Sequence, residues 1–127
     1  MIKGIEHIAV CAKDTKRLTD WYVDVFGFKI VYDNGKGTYF VKAEDGSMIE
    51  IIKADDGERT TEMTAPGIRH FALSVDGADF GATVARLKDA GVCVLAEAKE
   101  SASGVKTFFF TDPEGNIFHL ISRPAAL

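Results

Sequence analysis

The sequence repeats itself once, and this repeat limits the possible folds more than any other feature. Four short blocks of the first half recur in the same order in the second half. The paired blocks are 4–10 with 67–73, 27–30 with 91–94, 38–41 with 107–110, and 45–52 with 114–121. The spacing between paired blocks grows at only two places, which indicates one small and one larger loop insertion. We therefore predict a duplicated structural module.

Each copy has the pattern of one strand, one helix and three further strands. A helix capped by Asp14 or Thr15 is expected to end at Gly27, and a second helix near 79–90 is expected to end at Gly91. The predicted fold class is α+β, built from two β-α-β-β-β modules. Alternating, β-prone residues predict strands at 5–11, 28–33, 37–43, 47–53, 68–75, 92–96, 106–111 and 116–122.

The length of 127 residues is that of one compact domain. We predict a single domain with module one at 1–53, a polar linker at 54–66 and module two at 67–127. A half of about 60 residues is marginally stable alone, so the two modules are expected to share a sheet or a core. Residues 99–105 are small and polar, and they predict a mobile loop.

Composition restricts the partners and the compartment. The net charge of −4 argues against nucleic acid or an anionic membrane as a partner. The longest apolar run near the N-terminus, Ile8–Ala12, is too short for a signal-peptide core or a membrane span. The two cysteines, Cys11 and Cys93, are too few for a disulfide framework, and Cys11 is expected to be a small buried thiol. We therefore expect a cytoplasmic protein with reduced thiols.

All three histidines and one glutamate fall on equivalent positions of the repeat. The first strands pair His7 with His70, and the last strands pair Glu50 with His119. Because side chains alternate along a strand, each of the four lies on the face opposite the one that can pack on the helix. A carboxylate inside the apolar run 48–52 costs free energy unless it is paired or binds a metal. The alternative is that Glu50 points to solvent and the histidines are satisfied core residues.

Three imidazoles and one carboxylate are donors that suit zinc, iron, nickel, cobalt or manganese, and they do not suit calcium or magnesium. His7, Glu50, His70 and His119 are therefore the candidate ligands of a divalent transition metal. Ligand type alone does not select one of these metals.

Four motifs together resemble the vicinal oxygen chelate superfamily, which includes glyoxalase I, methylmalonyl-CoA epimerase, extradiol dioxygenases and the fosfomycin and bleomycin resistance proteins. The resemblance covers the whole chain. It implies two modules whose curved mixed sheets enclose a metal cleft, with His7, Glu50, His70 and His119 at the four ligand positions. It also implies a homodimer, in which the site forms either within one chain or across two. The motifs are Ile5-Glu6-His7-Ile8-Ala9-Val10, residues 21–28, residues 69–75 and Asp112-Pro113-Glu114-Gly115-Asn116.

The resemblance implies a metal-dependent lyase or isomerase of the glyoxalase I type, acting on a small molecule with vicinal oxygens. The metal acts as a Lewis acid that stabilises an enolate-like intermediate. Glu50 is expected to be both a ligand and the general base that removes a proton next to a carbonyl. Glyoxalase I-like members usually carry glutamate at the position of His119, so this chain departs from their pattern at that residue.

Two other functions stay open at this stage. In an Fe(II)-dependent extradiol dioxygenase, His7, His70 and Glu50 would be the two-histidine, one-carboxylate triad. In that family the carboxylate comes from the position of His119, so the match is inverted. A non-catalytic resistance protein that sequesters a drug or toxin is the third possibility, although such relatives usually lack the four ligands.

Overall fold

The computed structural model describes residues 1–58 and 66–127, so positions 59–65 of the predicted linker at 54–66 lie outside the described residues. None of the helices in these two ranges is long and apolar enough to cross a membrane. The elements are β1 (His7–Ala12), α1 (Thr15–Trp21) with a π-helical turn (Tyr22–Phe26), β2 (Lys29–Asp33), β3 (Tyr39–Lys42), β4 (Met48–Lys53), β5 (Phe71–Ser74), α2 (Phe80–Asp89), β6 (Cys93–Glu100), β7 (Lys106–Thr111) and β8 (Ile117–Ser122).

The chain divides into two compact units, Met1–Arg59 and Thr60–Leu127, which we call the first and the second unit. The sheet of the first unit has the strand order β1-β4-β3-β2, and that of the second unit has the order β5-β8-β7-β6. In each sheet the first strand of the unit pairs in parallel with the last, and the remaining pairs are antiparallel. The duplicated β-α-β-β-β arrangement and the α+β class are therefore confirmed, whereas a single shared domain stays a prediction.

The helix of the first unit begins and ends as the sequence predicts. The Asp14 side chain accepts a hydrogen bond from the backbone N–H of Arg17 at 3.0 Å, which caps the first turn. Gly27 ends the helical segment with a φ of 73°, a left-handed conformation that glycine adopts without a steric penalty. The helix buries Leu18 and Tyr22, and residues of one sheet face are buried with them. These sheet residues are Val10, Ala12, Val41, Ile49 and Ile51.

The core of the second unit is more aromatic. Helix α2 buries Phe80, Val84 and Leu87, which the sequence predicts to lie on one face. The Phe118 ring is fully buried and stacks on the rings of Phe71 and Phe110, with centroids 4.9 Å and 6.0 Å away. Stacked and tilted ring pairs at this separation add to the free energy gained by burying their area.

Two local predictions are wrong. Cys11 is exposed, because it alternates with the buried Val10 and Ala12 and so lies on the strand face away from α1. The predicted strand 92–96 is too short: β6 continues to Glu100, and the N–H of Ser101 donates a backbone hydrogen bond to the carbonyl of Val105 at 2.9 Å, which closes a turn. The larger insertion of the second copy is thus a longer hairpin between β6 and β7.

Candidate metal centre

The first unit brings His7 and Glu50 together on one sheet face. Strand β1 runs parallel to β4 with Ala9 opposite Glu50, and His7 lies two residues before Ala9 on the same face. The Nε2 atom of His7 is 3.3 Å from a carboxylate oxygen of Glu50. The His7 side chain is 36% exposed and the Glu50 side chain 23% exposed, so both are accessible from this face.

The second unit brings His70 and His119 together by the same register. Strands β5 and β8 are parallel with Ala72 opposite His119. The predicted strand 68–75 is shorter in the structure, so His70 directly precedes the first residue of β5, Phe71. The two imidazole centroids are 4.5 Å apart. The Nδ1 atoms of both rings are buried and have no hydrogen-bond partner among residues 1–58 and 66–127.

The donor separation of the first pair fits a bound metal. Two donors that each lie about 2.1 Å from one metal ion, at tetrahedral or octahedral angles, are about 3.0 to 3.4 Å apart. The separation of 3.3 Å between His7 and Glu50 falls in that range. In the second unit, an imidazole nitrogen buried without a partner costs about 1 to 3 kcal/mol, and a ligand at the ring pair could offset that cost.

Each pair supplies only two donors. Within the described ranges 1–58 and 66–127, no three His, Cys, Asp or Glu side chains gather into one metal-binding group. Catalytic zinc sites commonly use three protein ligands, and structural sites use four. One pair alone is therefore short of a complete ligand set.

A phenylalanine lies beside each pair. Phe40 is opposite Glu50 in the β3–β4 register, and its ring meets the His7 ring edge-on at 5.2 Å. Phe109 is opposite His119 in the β7–β8 register, and its ring stacks on the His119 ring at 4.4 Å. Phe109 thus lies on the same sheet face as His119. We did not predict a role for Phe40, although the repeat aligns it with Phe109.

The two pairs lie in opposite electrostatic settings. The hydrogen bond that the His7 ring donates to Glu6, together with the charges of Glu6 and Glu50, raises the pKa of His7 against a smaller opposing effect of desolvation. Burial lowers the pKa of His119, and the charges of His70, Arg123 and Arg69 lower it further. The first unit therefore attracts positive charge at its pair, whereas the second unit keeps His119 neutral, which is the form that binds metal.

The lowered pKa of His119 predicts a loss of stability in mild acid. The folded state resists protonation of this ring, whereas the unfolded chain takes up the proton near the ordinary value of 6.5. The free energy of unfolding therefore falls as the pH drops below that value. His119→Gln removes the titrating ring, so the difference in unfolding free energy between wild type and variant should change over this range. Denaturant unfolding at several pH values measures it, and a constant difference would contradict the prediction.

Known proteins resemble this chain over most of its length. The profile of the Glyoxalase/Bleomycin resistance protein/Dioxygenase superfamily matches residues 4–120. An uncharacterised protein of Bacillus subtilis, YwkD, is 30% identical, with 90% of this chain and 92% of YwkD aligned. The metallothiol transferase FosB of Staphylococcus saprophyticus is 25% identical, with 94% of this chain and 77% of FosB aligned.

A solved structure has a similar fold. It is a variant of the fosfomycin resistance protein FosX from Listeria monocytogenes, complexed with Mn(II) and 1S,2S-dihydroxypropylphosphonic acid. Its TM-score is 0.75 at 25% identity, covering 94% of this chain and 90% of FosX. The duplicated sheets and these comparisons point to the same family. The chain belongs to the Glyoxalase/Bleomycin resistance protein/Dioxygenase superfamily.

Proposed function

We propose that this chain is a metal-dependent enzyme that holds one divalent transition metal through His7, Glu50, His70 and His119. The observation that carries the proposal is the 3.3 Å separation of His7 Nε2 and Glu50, which matches two ligands of one ion. The partnerless Nδ1 atoms of the second pair support it. Zinc, nickel, cobalt, manganese and iron all suit this donor set, and the Mn(II) complex of FosX is consistent with manganese.

A complete ligand set needs both pairs, supplied by one chain or by two copies in a homodimer. Mixing two variants distinguishes these arrangements, because His7→Ala damages the first unit and His119→Ala damages the second. If two copies share each site, a mixed dimer contains one intact site and regains metal. If each chain builds its own site, no mixture regains it.

The reaction that we propose is a proton transfer next to a carbonyl, of the lyase or isomerase type. When bound, the metal supplies Lewis-acid stabilisation of negative charge on two neighbouring substrate oxygens. Glu50 accepts the proton, because it is the only carboxylate among the four residues. With His119 in place of a second carboxylate, Glu50 also returns the proton to the product. Phe40 and Phe109 supply apolar walls that limit the access of water.

A second candidate is the modification of fosfomycin, a phosphonate. Two observations favour it: FosB and FosX are relatives over 94% of the chain, and the positive charges of Arg69 and Arg123 act on His119. A phosphonate presents several negatively charged oxygens, which these two arginines would attract. Tight binding of fosfomycin without product would instead indicate a sequestering protein.

The first test is the metal content of protein purified without added metal, followed by titration with Mn(II), Zn(II), Co(II) and Ni(II). We expect one ion for each chain, and we expect His70→Ala to lower the content while Glu44→Gln, an exposed carboxylate in the β3–β4 turn, does not. A wild-type chain that binds none of these ions would contradict the proposal.

The reaction is then identified with a panel of compounds on the metal-loaded protein. The panel contains the hemithioacetal of methylglyoxal and glutathione, fosfomycin with and without a thiol, and catechol with Fe(II). Ultraviolet absorbance, phosphorus NMR and oxygen uptake follow the three reactions. Conversion of the hemithioacetal supports the leading proposal, conversion of fosfomycin supports the second candidate, and oxygen uptake with catechol would replace both with a dioxygenase.

A further inference from the structure

The imidazole of His7 contacts two carboxylates, one at each nitrogen. Its Nδ1 atom forms a hydrogen bond with a carboxylate oxygen of Glu6, the residue directly before β1. Its Nε2 atom lies 3.3 Å from Glu50 on the opposite side of the ring. The Glu6 side chain is largely exposed.

This arrangement selects one tautomer of the neutral ring. A neutral imidazole carries a single N–H, and an ionised carboxylate can only accept a hydrogen bond. Both carboxylates can accept this proton, but the Glu6 oxygen is closer to Nδ1 than the Glu50 oxygen is to Nε2, so the shorter hydrogen bond favours the proton on Nδ1. The lone pair is then on Nε2, which is the nitrogen that faces Glu50. Carboxylates that hold metal-binding histidines in this way fix the ring orientation and increase the basicity of the ligand nitrogen.

The second copy of the repeat does not carry this arrangement. The repeat aligns Glu6 with Arg69, whose guanidinium has no acceptor. The Nδ1 atom of His70 has no hydrogen-bond partner among residues 1–58 and 66–127. Two histidines at equivalent positions thus differ in what holds their rings. The carboxylate before His7 is therefore a particular feature of the first unit and not a general requirement of the repeat.

We propose that Glu6 is a positioning residue, which holds His7 as the Nδ1–H tautomer so that Nε2 is the metal-binding atom. The inference rests on the proposed metal centre. In the metal-free first unit, His7 already directs its Nε2 lone pair to the side where Glu50 lies. The two ligands are therefore oriented before the metal binds. Pre-orientation raises affinity by removing the cost of ordering the ring upon binding.

The test uses Glu6→Ala and Glu6→Gln in two measurements. Nitrogen-15 NMR of the metal-free protein, with the pH raised until the His7 shifts stop changing and the ring is neutral, reports the tautomer of His7 directly. We expect Nδ1–H to predominate in the wild type, and we expect Glu6→Ala to shift the proton toward Nε2, where Glu50 can accept it. Metal affinity should fall about 10- to 100-fold in Glu6→Ala, and Glu6→Gln should recover part of it, because its amide oxygen can still accept the hydrogen bond.

Glu44→Gln is the matched control for the loss of an exposed carboxylate, and it should leave both measurements unchanged. Arg69→Gln changes the residue at the equivalent position of the second copy, and it should not weaken metal binding. If wild type and Glu6→Ala bind metal equally tightly with the same His7 tautomer, the inference about Glu6 is wrong and the metal centre stands. If the wild type binds no metal at all, the proposed function itself fails.

Discussion

Replacing Glu50 by glutamine should lower turnover by about 100- to 10,000-fold at saturating metal. The carboxamide has nearly the shape of the carboxylate but accepts no proton, so the step that moves the proton loses its base. The measurement is kcat for whichever compound of the panel the wild type converts, with metal content determined in the same samples. Saturating metal separates the loss of the base from the weaker binding expected when one anionic ligand is removed.

A control variant and a threshold for kcat make the prediction about Glu50 testable. Glu44→Gln removes a carboxylate of the same unit that lies outside the metal centre, and its kcat should match that of the wild type. If Glu50→Gln with full metal content retains kcat within about threefold, Glu50 is not the general base, because base catalysis typically contributes at least about a hundredfold.

Replacing Phe118 by alanine should destabilise the protein by about 3 to 5 kcal/mol, the largest effect on folding that we expect. The ring is 0% exposed and lies between those of Phe71 and Phe110, so its removal leaves a cavity as well as a loss of buried area. Small domains have unfolding free energies of about 5 to 15 kcal/mol, and this loss is a large share of that. Urea unfolding of the metal-free chain measures it.

Leu95→Ala is the matched control for Phe118→Ala. Leu95 lies on β6 in the same unit and is 47% exposed, so its truncation should change the unfolding free energy by no more than about 0.5 kcal/mol. If the two variants lost similar amounts, the stacked rings would not be the core of the second unit.

The sequence repeat predicted the duplicated β-α-β-β-β topology, because it shows which strands of the two units are equivalent. Alternation then predicted which side of each strand packs on a helix, and Ile49 and Ile51 are buried while Glu50 between them faces the other way. Alternation has no meaning outside a strand, however. The sequence predicted a strand from residue 5, in which Glu6 would face away from His7, whereas β1 begins at His7 and the Glu6 carboxylate turns toward that ring.

Local backbone detail was the least predictable part of the fold. The sequence predicts one continuous helix ending at Gly27, whereas the last part is a π-helical turn, Tyr22–Phe26. There the N–H of Gly27 lies within hydrogen-bond reach of the carbonyls of both Tyr22 and Val23. Apolar spacing fixes which residues of a helix are buried, but it does not distinguish these two hydrogen-bond patterns.

The parallel pairing of the first and last strands has a consequence for folding. His7 and Glu50 sit at the two ends of the β-α-β-β-β segment, and so do His70 and His119. Neither pair can form until the first and last strands of its unit have come together. This pairing closes the longest loop of the unit, and contacts between residues so far apart in sequence form slowly. An ion that binds only the closed pair stabilises the completed unit and not its earlier stages. Metal uptake during refolding should therefore lag behind the formation of the hairpins and report on the last strand pairing.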